Sequence, residues 1–389
     1  MKHAVVLGAG VYQLPLFPKL AARGYHVTTI SRDGDYPGFD RADSVFKCDI
    51  VDREAILEYC RSHGVDMIVT TGSDVGLPSI GLVNDRLGLP GIGFDSAKWS
   101  SSKQKMKDRF VAYEVRAARQ RRLADYMEAT PFRPFVAKLD VSSGSAGVFI
   151  IREPEDFAAF GLADKPDLIL EDYIAGLEFG AQVVITDRVE RIYIHTDETY
   201  MGSAPVPVGH GSHFADLPFD TADLIEQVER SQRALDMKDC IANYDFILNE
   251  DGCHILEVGA RLGATGLAEL IAHSHDVDLY DVAIDLARGD RAAVRARLGD
   301  GPMVAQPAQS VESYLLFSES DGRQITAAVA DILRRHPDVI SHELDKAPGT
   351  PVDRLRKGSD RFGMMVVRAD PARPYEVSKS ILAAIQDVI

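Results

Sequence analysis

Asp245 and Glu257 lie in the stretch "YDFILNEDGCHILEVGAR", which reads as two strands around a three-residue loop, Glu250-Asp251-Gly252. Glycine stands where a left-handed conformation is wanted. That loop pairs Asn249 with Cys253, and counting outward sets Asp245 directly opposite Glu257. Like charges opposite each other across a ladder are destabilising, so a cation is expected between them. Two hard carboxylates on one polar face suit Mg²⁺, which takes oxygen ligands and often bridges phosphates; a solvated acidic face reads the same way. Arg261 continues the face of Glu257, while Phe246, Leu248, Leu256 and Val258 fall on the other face and read as core. His254 falls on that core face too and reads as packing.

Other stretches could serve a phosphate. In "PFVAKLDVSSGSAGVFII", Lys138 ends a strand, Ser142 to Gly147 form a small-residue loop, and Val148 begins the next strand. Small residues let backbone N–H groups approach phosphate oxygens while a lysine supplies a point charge; a plain hairpin turn would look alike. In "LILEDYIAGLEFGAQVV" a hydrophobic strand ends in Glu171, and Glu178 follows an irregular hinge. In "GAGVYQ", Gln13 stands where a dinucleotide fingerprint wants its third glycine, and Ser31-Arg32-Asp33 ends the second strand. That turn reads as structural, with a nicotinamide-dependent oxidoreductase as the alternative from another class. His273 and His275 follow a helical pattern and read as surface.

These groups need a scaffold. "HAVVLGAGVYQLPLFPKLAARGYHVTTISRD" is strand, glycine turn, helix, strand, the opening of a Rossmann-like parallel α/β domain over residues 1–95. A polar, basic, helical connection follows, and from Pro134 strands dominate, so residues 96–304 form a second unit with an antiparallel sheet. Residues 305–389 mix strands ("SVESYLLFSE", "RFGMMVVRAD") with helices ("QITAAVADILRRH", "EVSKSILAAIQDVI") and read as a small α+β cap. The formal net charge of -16 over 389 residues argues against non-specific binding to nucleic acid or an anionic membrane. Four cysteines without ligand spacing suit a reducing compartment, and no apolar run approaches a membrane span of about 20 residues. A cytoplasmic protein is expected.

Taken in order, Lys103, Lys138 with its loop, Glu171 with Glu178, and Asp245 with Glu257 and Arg261 resemble the ATP-grasp superfamily, in its carboxylate–amine ligase branch. The resemblance spans nearly the whole chain and implies an ATP-grasp fold, α/β and α+β. It implies that Lys103 and Lys138 reach the nucleotide phosphates under a flap of Ser142, Ser143, Gly144, Ser145 and Gly147. Glu171 would take the adenine amino group with backbone at Asp172 and Ile174, and Glu178 the ribose hydroxyls. Asp245 and Glu257 would bind Mg²⁺ (or Mn²⁺), and Arg261 and Lys138 would act on the transferred phosphate. His210 and His213, in a glycine-rich loop, fall where acceptor-substrate contacts are placed. The activity implied is ADP-forming ligation of a small carboxylic or amino acid to an amine through an acyl phosphate, by a homodimer. Carboxylation with bicarbonate, or nucleotide binding without catalysis, are the alternatives. Two positions depart from the family pattern: Gly259 where asparagine is usual, and Ser102 where an aspartate precedes the lysine.

Overall fold

The computed structural model of the chain describes residues 2–140, 148–162, 168–202, 205–213 and 220–389. The flap residues Ser142, Ser143, Gly144, Ser145 and Gly147 therefore lie outside the described residues.

The N-terminal strands β1 (Lys2–Leu7), β2 (Tyr25–Ser31), β3 (Ser44–Lys47) and β4 (Met67–Val69) form a parallel sheet in the order β3-β2-β1-β4. Helices α1 (Leu16–Ala22), α2 (Arg53–Ser62) and α3 (Leu77–Leu87) connect and cover them. The first glycine turn is closed from within. Gly10 N donates to Gln13 Oε1 at 3.0 Å, and the Gln13 amide donates in turn to Thr71 O. The Gly10 N–H, which a pyrophosphate would need, is already satisfied, so Gln13 marks a structural turn.

Helices α4 (Phe94–Ser100) and α5 (Lys103–Ala112) lead out of this layer. Next come α6 (Leu123–Met127), β5 (Phe135–Leu139), β6 (Val148–Ile151), α7 (Pro154–Ala159) and β7 (Leu168–Asp172). The strands form a sheet in the order β6-β5-β7, closed by its own small core of Tyr126, Phe135, Ile151 and Phe157.

The site rests on the large sheet. Its first strands are β8 (Leu177–Ile185), β9 (Val189–Met201), β10 (Pro205–Gly211), β11 (Cys240–Asn249), β12 (Gly252–Gly259) and β13 (Val311–Leu316). After a short ladder of β14 (Arg323–Gln324) with β16 (Pro351–Val352), β15 (Val339–Leu344) and β17 (Gly363–Arg368) complete it. The order is β12-β11-β8-β9-β10-β13-β17-β15, antiparallel throughout. The segment expected as a cap thus adds three strands to the central sheet. The physical reason is the edge of β10, whose unpaired backbone groups are satisfied by β13. Helices α8 (Thr221–Ala234), α9 (Leu267–His275), α10 (Leu279–Ala287), α11 (Arg291–Leu298), α12 (Ala327–Arg335) and α13 (Glu376–Gln386) pack around it. Among the described residues no helix is long and apolar enough to cross a membrane.

The β11–β12 hairpin differs from expectation near its turn. Asn249 pairs with Gly252, so the loop is Glu250-Asp251 alone, and Gly252 sits at φ 104. Leu248 therefore faces Cys253, a register one residue away from the sequence count. A bulge between Asp245 and Phe246 absorbs the slip, and Asp245 faces Glu257 after all. Because a one-residue slip exchanges faces, Cys253 and Ile255 join Phe246, Leu248 and Val258 in the core, while Leu256 is half-buried. His254 turns to the polar side, with Nε2 3.1 Å from Asn249 Oδ1. Beneath the hairpin, Phe246 stacks on Phe179 at 4.8 Å and on Tyr244 at 5.5 Å.

Candidate functional site

The pleat places one transverse row of residues on the polar face: Glu257 on β12, Asp245 on β11, Gly180 on β8 and His195 on β9. The expected cation is present but serves one carboxylate. Lys103 Nζ lies 3.0 Å from Glu257 Oε1. Asp245 is met by Asn243 Nδ2 at 3.4 Å. Burial first, then the charges of Glu257 and Asp197, push the Asp245 carboxyl up to about 7. A buried carboxyl raised above its ordinary range beside a second carboxylate is a group that a bound cation would favour in its ionised form. The oxygen-only donors suit Mg²⁺.

Helix α5 carries the lysines. Its N-cap is Ser102, whose Oγ accepts from Lys105 N at 3.3 Å and donates to Asp140 at 2.9 Å. Asp140 Oδ1 also accepts from Gln104 N at 2.9 Å. Asp140, arriving from the end of β5, thus supplies the carboxylate that Ser102 lacks. One helical turn after Lys103 comes Lys107, which the sequence reading passed over. Lys107 Nζ and Lys138 Nζ flank the fully buried Glu171, at 3.4 Å from Oε1 and 2.9 Å from Oε2. The Lys107 contact has ion-pair distance without hydrogen-bond geometry. Burial outweighs Glu171 and draws Lys107 down to about 8, whereas the two lysines hold the Glu171 carboxyl below its usual range despite its burial. The spacing Lys103-x-x-x-Lys107, one face of a helix, was the available signal.

Arg261 pairs with a residue of the first layer, its Nη2 lying 2.6 Å from Asp74 Oδ2. This explains Gly259. A Cβ built there would lie 2.6 Å from Asp74 Oδ1, so Asp74 occupies the room that an asparagine side chain would take. The loop leading away is held by Gln182, which accepts from Gly263 N at 2.8 Å and donates to Asn243 at 2.5 Å.

His210 lies on β10, paired with Asp197 on β9, in place of the expected loop. Asp197 Oδ1 accepts from His195 Nδ1 at 2.8 Å and His210 Nδ1 at 2.5 Å. Both imidazoles are buried, and the three residues bring their ligand atoms within 4.8 Å of one another. His213, just beyond β10, has Nε2 3.2 Å from Thr196 Oγ1. His273 and His275 occupy the last turn of α9 and are half-buried; His275 packs edge-on to Tyr193, and burial lowers it to about 4.

On the hinge side, Asp172 turns its carboxylate to Arg121 at 2.7 and 3.0 Å. Ile174 follows in the connection to β8, and Glu178 is exposed near the start of that strand, opposite Ile247. Across the site, a cavity of 610 Å³ opens between the first layer and the sheet, lined by Tyr12, Gly263, Thr265, Glu269, Tyr280 and Arg361 among others. Its volume is that of a small-molecule pocket.

No protein-family model matches the chain. A curated relative, the uncharacterized protein y4rH of Sinorhizobium fredii, is 26% identical over 360 residues, 87% of this chain and 72% of that protein. Among solved structures, phosphoribosylglycinamide synthetase from Anaerococcus prevotii superposes with a TM-score of 0.77 at 22% identity, over 99% of this chain and 98% of that one. The L-amino acid ligase from Bacillus licheniformis gives 0.74 at 14% identity, over 100% and 97%. The biotin carboxylase domain of 2-oxoglutarate carboxylase from Hydrogenobacter thermophilus, in complex with MgADP, ADP and bicarbonate, gives 0.67 at 14% identity, over 99% and 89%. The fold is that of the ATP-grasp ligases.

Proposed function

We propose that the chain is an ADP-forming, Mg²⁺-dependent ligase that activates a small carboxylic or amino acid as an acyl phosphate and joins it to an amine. The observation that carries this reading is the facing pair Asp245–Glu257, with Asp245 pushed up to about 7 and Lys103 and Arg261 beside it.

In this reading Lys103, Lys107 and Lys138 set positive charge along the phosphates. Glu171, ion-paired with Lys107 and Lys138, holds the lysine heads in place and takes the adenine amino group at the hinge with Asp172 and Ile174. Glu178 takes the ribose hydroxyls. Asp245 and Glu257 would hold Mg²⁺, which when bound neutralises charge on a phosphoryl group in transfer. Arg261, oriented by Asp74, faces the oxygens of the acyl phosphate. No side chain forms a covalent intermediate; positioning and electrostatic stabilisation lower the barrier. The substrates would occupy the cavity at Gly263 to Thr265, and the Ser142–Gly147 segment would exclude water.

The test is Mg²⁺-dependent ATP turnover against a panel of amino acids and small acids with hydroxylamine present. ADP together with a hydroxamate is expected, and names the acid. A second reading, phosphorylation of bicarbonate, is favoured by the likeness to a biotin carboxylase domain solved with bicarbonate. ADP formed with bicarbonate alone would select it. ATP binding without turnover on any acid would overturn both. Light scattering of the purified chain tests the expected homodimer.

A further inference from the structure

We infer that the carboxylate of Asp197 is the docking point of the amine nucleophile, which it binds as a primary ammonium. One proton passes to the open Asp197 oxygen as the freed amine attacks the acyl carbon, and the second leaves with the displaced phosphate. The inference deepens the ligase reading and rests on it.

Asp197 Oδ1 is taken up by His195 Nδ1 at 2.8 Å and His210 Nδ1 at 2.5 Å. A carboxylate can only accept, so both imidazoles donate through Nδ1. His210 is fixed from its far side by Thr265 Oγ1, 2.6 Å from Nε2. Two hydrogen-bond donors favour the ionised form of Asp197. Burial favours the neutral ring for His210. Asp197 Oδ2 has no hydrogen bond among the described residues, and the side chain is 35% exposed. Of the neighbouring carboxylates, Glu257 has Lys103, Glu171 has Lys107 and Lys138, and Asp74 has Arg261, whereas Asp245 is met by Asn243 and is the one assigned to the metal. Asp197 is therefore a charged, open acceptor without a lysine or arginine partner among the described residues.

Its position matches a nucleophile. Asp197 lies two residues along β9 from His195, which ends the row from Glu257 and Asp245, and its charge is felt at Asp245. The small residue between them is required, because a side chain at Gly180 would run into the His195 ring. On the other side, Thr265 both holds His210 and lines the 610 Å³ cavity. Thr265 stands at φ 60, a left-handed conformation costly for a β-branched residue and characteristic of functional sites. A metal ion fits these three side chains poorly. Ligands about 2.1 Å from a tetrahedral cation stand roughly 3.4 Å apart, whereas Asp197 Oδ1 is 2.5 and 2.8 Å from the two nitrogens. A primary ammonium carries three N–H donors and suits one open carboxylate oxygen.

The experiment compares wild type with Asp197→Asn, which keeps shape and removes charge. Both are given Mg²⁺-ATP and an equimolar mixture of the standard amino acids. One arm contains hydroxylamine, a nucleophile uncharged at neutral pH; the other contains the amino acids alone and is read as amide product. The variant is expected to keep hydroxamate formation within about twofold and to lose amide formation by about 10- to 100-fold, the size of one charge-assisted hydrogen bond. Equal amide formation by variant and wild type overturns the inference. So does parallel loss in both arms with ADP affinity intact, which would place Asp197 in the first half-reaction. Stoichiometric transition metal in wild type that is absent from Asp197→Asn overturns it in favour of a metal site. Should Asp197→Asn fail to fold by thermal melting, wild type titrated with methylammonium as the competing amine gives the answer. Inhibition of amide formation without inhibition of hydroxamate formation supports the inference, and no inhibition of either overturns it. Absence of hydroxamate in wild type is a different failure, that of the ligase reading itself.

Discussion

Asp245→Asn should stabilise the protein in the absence of nucleotide and metal while abolishing turnover. In the fold the carboxyl is pushed up to about 7, largely by burial and then by Glu257; in the unfolded chain it returns to about 3.9. The folded state therefore binds more protons between these values, and the native protein loses stability as pH rises through that window. At about 1.36 kcal/mol per pKa unit, the cost of ionising Asp245 amounts to at most about 4 kcal/mol at pH 8 and about 1.5 kcal/mol at pH 5. Asp245 is only half-buried, so solvent screening brings the expected difference between the two pH values to about 1–2 kcal/mol. Asparagine is isosteric and uncharged, so its advantage over aspartate should grow by that amount from pH 5 to pH 8. Urea unfolding of both proteins at the two pH values, with EDTA and without ATP, measures it. Saturating Mg²⁺-ATP should reverse the order, because only the carboxylate can hold the cation. A variant less stable than wild type at pH 8, or a difference independent of pH, would refute the assignment of Asp245 as an uncompensated ligand.

Glu257→Gln should leave the fold intact, since Glu257 is 38% exposed, and reduce ATP turnover to background; retained activity would sink the metal assignment. Glu171→Gln should destabilise by about 3–5 kcal/mol, because it leaves the buried Lys107 and Lys138 without their shared counter-charge; equilibrium unfolding at neutral pH checks it. In the same protein, Lys107→Met should weaken ADP binding in a calorimetric titration by about tenfold or more, and unchanged affinity would remove Lys107 from the site. Gly259→Ala should cost about 1–3 kcal/mol of stability by displacing Asp74. Adding Asp74→Gly should recover part of that loss, so the two changes must be non-additive in a double-mutant cycle.

The sequence by itself carried the polar face of the β11–β12 hairpin, the order of the lysines and carboxylates along the chain, and the alternation of α/β and antiparallel elements. These are local: side-chain period, turn residues and spacing decide them. Even there, the pairing of Asp245 with Glu257 survived a turn one residue shorter than counted, because a bulge restored the register. Bulges answer to strand twist and packing beneath, here to Phe179 and Tyr244, and leave little trace in a sequence. The partners that complete the site come from far along the chain. Asp74 lies 187 residues from Arg261, Asp140 is 38 residues from Ser102, and Thr265 is 55 residues from His210. Each compensates for something that looked missing or unremarkable in the linear pattern. Gly259 leaves room that Asp74 fills, and Ser102 borrows the carboxylate of Asp140. The continuity of the eight-stranded sheet into residues 305–389 was likewise a tertiary outcome, since only the assembled fold shows that β10 has an edge for β13 to cover. Residue types and local periodicity state which chemistry is available; the charge balance of a buried site depends on contacts between distant segments, and only the folded chain makes them.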